Sequence, residues 1–450
     1  MPRASIQPIA IRSSAINLKE LARRRRQLMR MAGDDAILIL SAAPPRIRSK
    51  DTHYSYRQDS DFWYLSGFDE PDAVLVLVPG RAHGETLLFC RERDSEREAW
   101  DGPRAGTEGA VAEFGFDDAY PITDLDDILP GLLEGRSRVY YHFGRDTEFD
   151  LQLIGWLNRV RAQVKQGAQP PHEFLELGHY LHELRLFKSR DEIRLMKRAA
   201  QIAADAHIAA MRATRPGLHE YEVEAAILHH FRRNDAQPAY ESIVGGGANA
   251  CVLHYIANKS VLRDGDLLLI DAGAEYRNYA SDITRTFPVN GRYSKEQRTI
   301  YQLVLDAQHA ALKQARPGST WIAGHDAAVA TLTEGLLKLG LLKGTLEKNL
   351  ASGDYKRFYM HKTGHWLGLD VHDVGEYRID GEFRELEPDM VFTVEPGLYI
   401  APGSKGVPTK WQGIGVRIED DVLITKSGNE VITGGVPKEI DEVEALLATR

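Results

Sequence analysis

Apolar residues first recur at helical spacing in LKELARRRRQLMRMAG, where Leu18, Leu21 and Leu28 are predicted to turn inward and the arginines at 23 to 26 to form the solvated face. Residues 36 to 88 change texture. AILIL, DAVLVLVPG and ETLLF are short apolar runs, and the last two frame a turn containing Gly and His, so strands are predicted there. With helical stretches before and after, this part reads as an α/β domain. Around HYLHELRLFKSRDEIRLMKRAAQIAADAHIAAMRATRPG a charged linker gives way to a long helix, whose apolar stripe is Ile193, Met196, Ala200, Ala203 and Ala204. The domain boundary is placed near residue 182, giving domains 1–182 and 183–450.

The second domain reads as if built twice. One helix ends in ATRPG at 213–217 and another in QARPG at 314–318, and a further helix follows each, as Pro and Gly just past a helix end allow. Beyond them LRDGDLLLIDAGAEY (262–276) aligns with LEPDMVFTVEPGLYI (386–400), placing Asp271 on Glu395 and Gly273 on Gly397. Short apolar strands match by chance often enough, but the shared acid followed two residues later by glycine makes chance a weaker explanation.

Charge and cysteine content narrow the function classes. A net charge of -9 opposes a standing nucleic-acid partner, which needs a basic face. Cys90 and Cys251 are the only cysteines, too few for a disulfide framework and without metal-type spacing, which fits a reducing, cytoplasmic setting. No apolar run approaches a membrane span, and MPRASIQPIAIRSS lacks the apolar core of a signal peptide. Its Arg and Ser and its lack of acids leave an organelle transit peptide as the alternative.

MHKTGHWLGLDVHDVG (360–375) crowds His361, His365 and His372 together. His361 and His365 have the spacing of a zinc-binding helix. However, Lys362 stands where that motif needs its glutamate, and Thr363-Gly364 does not favour a helix. WLGLDVHDV alternates with period two and predicts a strand, on which His365 and His372, seven apart, face opposite ways. The three histidines are therefore not one metal site.

Acids close the predicted buried strands. LLLID ends on Asp271 and VFTVE on Glu395, and a second acid follows each, Asp282 in YASDITRTF and Glu419 in GVRIEDD. A buried carboxylate is costly unless paired or metal-bound. If the duplication brings all four together they repel by several kcal/mol, which two divalent cations would offset. With His365 added, the donors form a mainly hard set that suits Mn²⁺, with Co²⁺ or Zn²⁺ as alternatives. The competing reading of any one acid is a surface salt bridge.

LLIDAGAEYRNYASDITRTFPV, HKTGHWLGLDVHDVG, FTVEPGLYI and GIGVRIEDDVLIT, with YRQDSDFWYLSGFDEPDAVLVL in the first domain, resemble aminopeptidase P, the Xaa-Pro aminopeptidase group of the pita-bread metallopeptidases, from about residue 17 onward. The resemblance implies an α/β N-terminal domain followed by an α+β pita-bread catalytic domain with an internal pseudo-two-fold repeat. It implies two divalent metal ions, Mn²⁺ foremost and Co²⁺ or Zn²⁺ as alternatives. Asp271 would chelate one, Asp282 and Glu419 would bridge both, and His365 and Glu395 would complete the other. Glu395 would also shuttle a proton. His254, His361 and His372 match histidines that act near substrate without binding metal, against the alternative of satisfied core histidines.

By the same resemblance Tyr240, in QPAYESIVGGG, belongs at the substrate pocket. Trp100, in EREAWDG, resembles a residue that reaches a neighbouring subunit's site, the alternative being an ordinary buried tryptophan. The implied partners are peptides with proline in second position and further copies of the chain in a homo-oligomer, dimer or tetramer. Two rivals share the fold: a prolidase, which cuts only Xaa-Pro dipeptides, and a binding module that has lost its metal ligands.

Overall fold

The computed structural model describes residues 16–449, and the reading of the first fifteen residues as a leader or transit segment lies outside them. The described residues pack as two compact units, one running to Leu184 and the other from Arg185.

The first unit is built on a six-stranded sheet in the order Asp118–Pro121, Thr86–Cys90, Val74–Leu77, Ala36–Ser41, Arg138–Tyr141, Glu173–Glu176. The three apolar runs noted above supply adjacent strands, paired antiparallel, with Leu38 opposite Leu77 and Val76 opposite Leu87. The flanking pairs are parallel. Ile37, Leu38 and Ile39 are all fully buried, which explains an unbroken apolar run in place of alternation: both faces of the strand are covered.

The first helix, Leu18–Ala32, buries Leu21 and Leu28 as predicted but also Arg24 and Arg25, whereas Leu18 is exposed. Arg24 donates to the Tyr64 carbonyl at 3.0 Å and lies over the Tyr64 ring; Arg25 donates to the carbonyls of Leu65 at 3.0 Å and Gly115 at 2.9 Å. Tyr64 and Leu65 are in the last turn of helix Ser60–Ser66, whose carbonyls have no partner within the helix. The two arginines thus cap a second helix, and half of the basic run is structural.

The second unit carries the duplication. Helices Arg190–Ala213 and Glu220–Arg233 form one pair, Lys295–Gln314 and Trp321–Lys338 the other. The first helix of each pair opens on a capping box, Ser189 with Glu192 and Ser294 with Gln297. Each pair is followed by a three-stranded antiparallel sheet: Ile243–Gly246, Leu267–Asp271, Thr284–Pro288 in one, and Val391–Val394, Asp420–Thr425, Gly428–Val431 in the other. The aligned Leu262 and Leu386 are both buried. The aligned glycines have a steric cause. A Cβ on Gly273 would come within 1.8 Å of the Ser281 carbonyl oxygen, and one on Gly397 within 2.5 Å of the Tyr399 hydroxyl.

WLGLDVHDV is not a strand. Only Trp366 makes a bridge, to Phe392, before the chain folds back so that Asp373 N donates to the Trp366 carbonyl at 2.9 Å. Asp373 is buried against Arg185 (2.5 Å) and Lys188 (3.0 Å), and this ion cluster outweighs the local alternation. The expectation that His365 and His372 face apart fails with it: their rings meet edge to face, 4.3 Å between centroids.

Candidate metal centre

The two sheets of the second unit deliver the acids. Asp271 ends its strand, Asp282 stands two residues before Thr284–Pro288, Glu395 directly follows Val391–Val394, and Glu419 directly precedes Asp420–Thr425. His365 is held beside the second sheet: its amide donates to Thr393 Oγ1 at 3.1 Å, and its carbonyl accepts from the Thr393 amide at 3.0 Å. One donor atom each from Asp282, His365 and Glu419 lies within 4.8 Å of the others, and His365 Nε2 is 3.5 Å from Asp282 and 3.7 Å from Glu395. The five residues line one cavity of about 640 Å³. Trp321, Ile322, Tyr377, Phe383 and Phe392 form its apolar wall.

The donor set fits divalent cations. Burial pushes the Glu419 carboxyl well above the usual carboxylate range, and the charges of Asp282, Glu395 and Asp271 push it further. Burial and then Asp271 raise Asp282. Burial raises Glu395 to about 7, although His365 and Arg417 pull the other way. His365 donates its Nδ1 proton to the Trp366 carbonyl at 2.9 Å, which aims Nε2 at the carboxylates in the manner of a metal ligand. Burial disfavours a charged His365 ring, yet Asp282 and Glu395 outweigh this and raise it to about 9. Four carboxylates face one imidazole and the Arg417 guanidinium, so negative charge is in excess.

A raised folded-state pKa means that the folded state holds its proton more tightly than the unfolded chain, so the stability it brings is full below the unfolded pKa and is lost as pH rises through the folded one. For Glu395 that window runs from 4.5 to about 7, and the His365 shift acts in the same direction. Chelated protein is therefore expected to melt lower at about pH 8 than at about pH 5, with added metal removing most of the difference. Differential scanning calorimetry checks this; a Tm of the chelated protein that climbs between those pH values would contradict it.

Several residues that hold the site were not singled out in the sequence. Arg417 donates to Asp271 at 2.6 Å, to Thr284 Oγ1 at 3.1 Å and to the Tyr399 hydroxyl at 2.9 Å. The Thr284 hydroxyl donates to Glu419 at 2.6 Å. The available signal was period two: Arg417 precedes Glu419 by two residues and Thr284 follows Asp282 by two, the same-face spacing of a strand. Behind them Arg285 (2.7 Å) and Lys438 (2.6 Å) hold the buried Asp420, whose carboxyl stays well below its usual range because their charges outweigh burial.

The remaining predicted residues differ in placement. The Tyr240 hydroxyl touches both Asp271 and Asp282, so it lies among the acids. His361, His254 and His372 line the cavity. His361 is fully engaged: it accepts from Tyr399 at 2.9 Å and donates to the Lys362 carbonyl at 2.7 Å, and burial lowers it to about 4, so the ring is neutral. His254 and His372 are exposed and make no hydrogen bond among the described residues, so neither is a satisfied core histidine. Trp100 is 87% exposed on helix Ser95–Asp101, which has no buried residue, and the buried-tryptophan alternative is overturned.

Four carboxylates and a histidine lining one cavity, delivered by duplicated helix–strand units, define a metallohydrolase-type centre. Residues 194–426 match the model of metallopeptidase family M24, and residues 21–140 that of the aminopeptidase P N-terminal domain. The Xaa-Pro aminopeptidase of Escherichia coli is 45% identical over 96% of this chain and 98% of its own length. The Xaa-Pro aminopeptidase 3 of Homo sapiens is 34% identical over 95% of this chain and 85% of its own. Among solved structures, the aminopeptidase of Pseudomonas aeruginosa superposes with TM-score 0.95 at 57% identity, covering 96% of this chain and 98% of that one. A zinc-substituted E. coli aminopeptidase P in complex with product superposes with TM-score 0.94 at 45% identity, covering 96% and 99%. The chain belongs to metallopeptidase family M24, with an aminopeptidase P N-terminal domain preceding its pita-bread catalytic domain.

Proposed function

We propose that this chain hydrolyses the bond between an N-terminal residue and a penultimate proline, as the names of its relatives describe for them. The observation that carries the reading is the convergence of Asp271, Asp282, His365, Glu395 and Glu419, every one a metal-binding residue type, on a single cavity. These five would hold two divalent ions, Mn²⁺ foremost and Co²⁺ or Zn²⁺ as alternatives, consistent with the mainly hard donor set. When bound, such ions supply Lewis acidity and a nucleophile at neutral pH.

The side chains do the rest. Glu395, raised to about 7, is poised to take a proton and return it to the leaving proline nitrogen near neutral pH. His254 and His372, which line the cavity and make no hydrogen bond among the described residues, are available to hold the peptide backbone or the developing oxyanion. Arg417 and Thr284 keep Asp271 and Glu419 in position. The apolar wall suits a proline ring, whose tertiary amide offers no N–H to satisfy.

The chain is further proposed to act in the cytoplasm as a homo-oligomer, in which the exposed Trp100 reaches a neighbouring copy's site; an indole at 87% exposure on a helix with no buried residue supports a partner there. No helix among the described residues is long and apolar enough to cross a membrane.

Chelated protein reconstituted with each metal and assayed in parallel on an Xaa-Pro dipeptide and an Xaa-Pro-Xaa-Xaa peptide tests the reading. Activity should be metal-dependent and at least as high on the longer peptide. Activity confined to the dipeptide would indicate a prolidase, and failure to bind stoichiometric metal a binding module. The histidines separate in a second measurement. His365→Ala should lose metal, whereas His361→Ala and His372→Ala should keep it and lose turnover, because groups acting on the transition state lower rate without emptying the site. Equal metal loss in all three would defeat the assignment.

A further inference from the structure

The N-terminal unit contains a second convergence of metal-type donors, apart from those that serve the peptidase site. Asp61 lies in the first turn of helix Ser60–Ser66, His142 follows strand Arg138–Tyr141, and His182 is in helix Gly178–Leu186. Asp61 Oδ2 is 3.1 Å from His142 Nε2 and 3.2 Å from His182 Nε2, and one donor atom from each residue lies within 4.8 Å of the others. Ligands at about 2.0–2.1 Å from a tetrahedral zinc ion stand about 3.3 Å apart, close to these separations.

Two independent observations point to a cation. The parallel strands that place Tyr141 beside Glu176 bring His142 Nδ1 to 2.6 Å from Glu176 Oε1. A proton donated there leaves Nε2 with its lone pair facing Asp61, the carboxylate–histidine–metal arrangement. That Nε2 is buried in a side chain only 8% exposed, and it has no hydrogen-bond partner among the described residues. In that tautomer the two would be facing acceptors in repulsion, and positive charge relieves it, whether a second ring proton, which burial opposes but Asp61 and Glu176 favour, or a bound cation. The cluster also lies at the carboxyl ends of parallel strands, where open α/β sheets bind ligands.

Positive charge is present, on a displaceable group. Arg145 Nη1 is 3.0 Å from Asp61 Oδ2 and Nη2 is 3.5 Å from His182 Nε2. Its side chain is 45% exposed and also reaches to 3.7 Å from Asp59, an alternative partner a short swing away. We propose that Asp61, His142 and His182 form a third metal site for a Zn²⁺-type ion, with Glu176 orienting His142 and Arg145 filling the cation position until metal displaces it. Two imidazoles and one carboxylate favour a borderline transition metal over Mg²⁺ or Ca²⁺. His182, 26% exposed, marks the way in and leaves a position for solvent.

Tag-free full-length protein, stripped by chelation and titrated with Zn²⁺, provides the test by metal content at saturation. His142→Ala/His182→Ala should bind one ion fewer per chain than the parent while keeping its Mn²⁺-supported peptidase activity. Arg145→Ala, which retains all three donors, should bind that ion about tenfold more tightly, since a like charge a few Å away is removed. Equal zinc content in parent and double variant would overturn the site. So would an Arg145→Ala variant that binds no more tightly, and this second measurement decides alone if the double variant does not fold.

Discussion

Glu419→Gln and Asp282→Asn are each expected to cut peptide turnover by about 10³-fold or more, and at the same time to raise the melting temperature of chelated protein. The first effect follows from the role of the two acids as proposed bridges: each variant weakens the hold on both ions, and metal contributes several kcal/mol of transition-state stabilisation, at about 1.4 kcal/mol per decade of rate. The second follows from crowding. Glu419 is 2% exposed and Asp282 5%, and mutual repulsion adds to the burial that already raises both carboxyl groups. An isosteric amide removes a charge and preserves the volume. With metal absent, one repulsive partner is gone; with metal present, a ligand is lost, so the sign of the stability change should reverse. Activity assays beside calorimetry with and without chelator read both. A surface salt-bridge role for these acids would produce neither effect.

Replacing the penultimate proline of a good substrate by alanine is expected to lower kcat/KM by about 10²-fold or more. Two carbons of ring contact are lost, at about 0.8 kcal/mol per buried methylene. The alanyl peptide regains an N–H which, desolvated against the apolar wall without a partner, costs about 1–3 kcal/mol. The proline φ is also fixed before binding, so its ordering cost is lower. Trp321, Ile322, Tyr377, Phe383 and Phe392 form the largely apolar wall of that cavity. Parallel steady-state assays on the matched pair of peptides measure the ratio, and a ratio near one would remove proline from the specificity.

The carboxylates were legible in the sequence because duplication writes them twice. An acid at the end of a buried run, with glycine two residues later, recurs at Asp271 and Glu395, and the glycine is fixed by backbone and side-chain atoms that leave no room for a Cβ. Both helix ends, at ATRPG and QARPG, were equally local and equally legible, whereas the capping boxes at Ser189 and Ser294, although just as local, were recognised only in the structure. What stayed hidden depends on residues distant in the chain. Arg24 and Arg25 read as solvated because the carbonyls they cap belong to a helix 40 residues away. Trp366 to Val374 read as a strand because alternation is local, whereas the capture of Asp373 by Arg185 and Lys188 spans more than 180 residues. Arg417 in GIGVRIEDD looks like one charge among charges on a strand, and its partner Asp271 becomes visible only once the opposing strand is in place.

Timed mass spectrometry of an Xaa-Pro-Xaa-Xaa peptide incubated with metal-reconstituted protein shows directly whether this cavity cleaves once at a residue–proline bond. Free Xaa and an intact Pro-Xaa-Xaa fragment that persists after the substrate is gone are expected. Stepwise release of residue after residue, or a substrate that remains whole while the Xaa-Pro dipeptide is consumed, would contradict it.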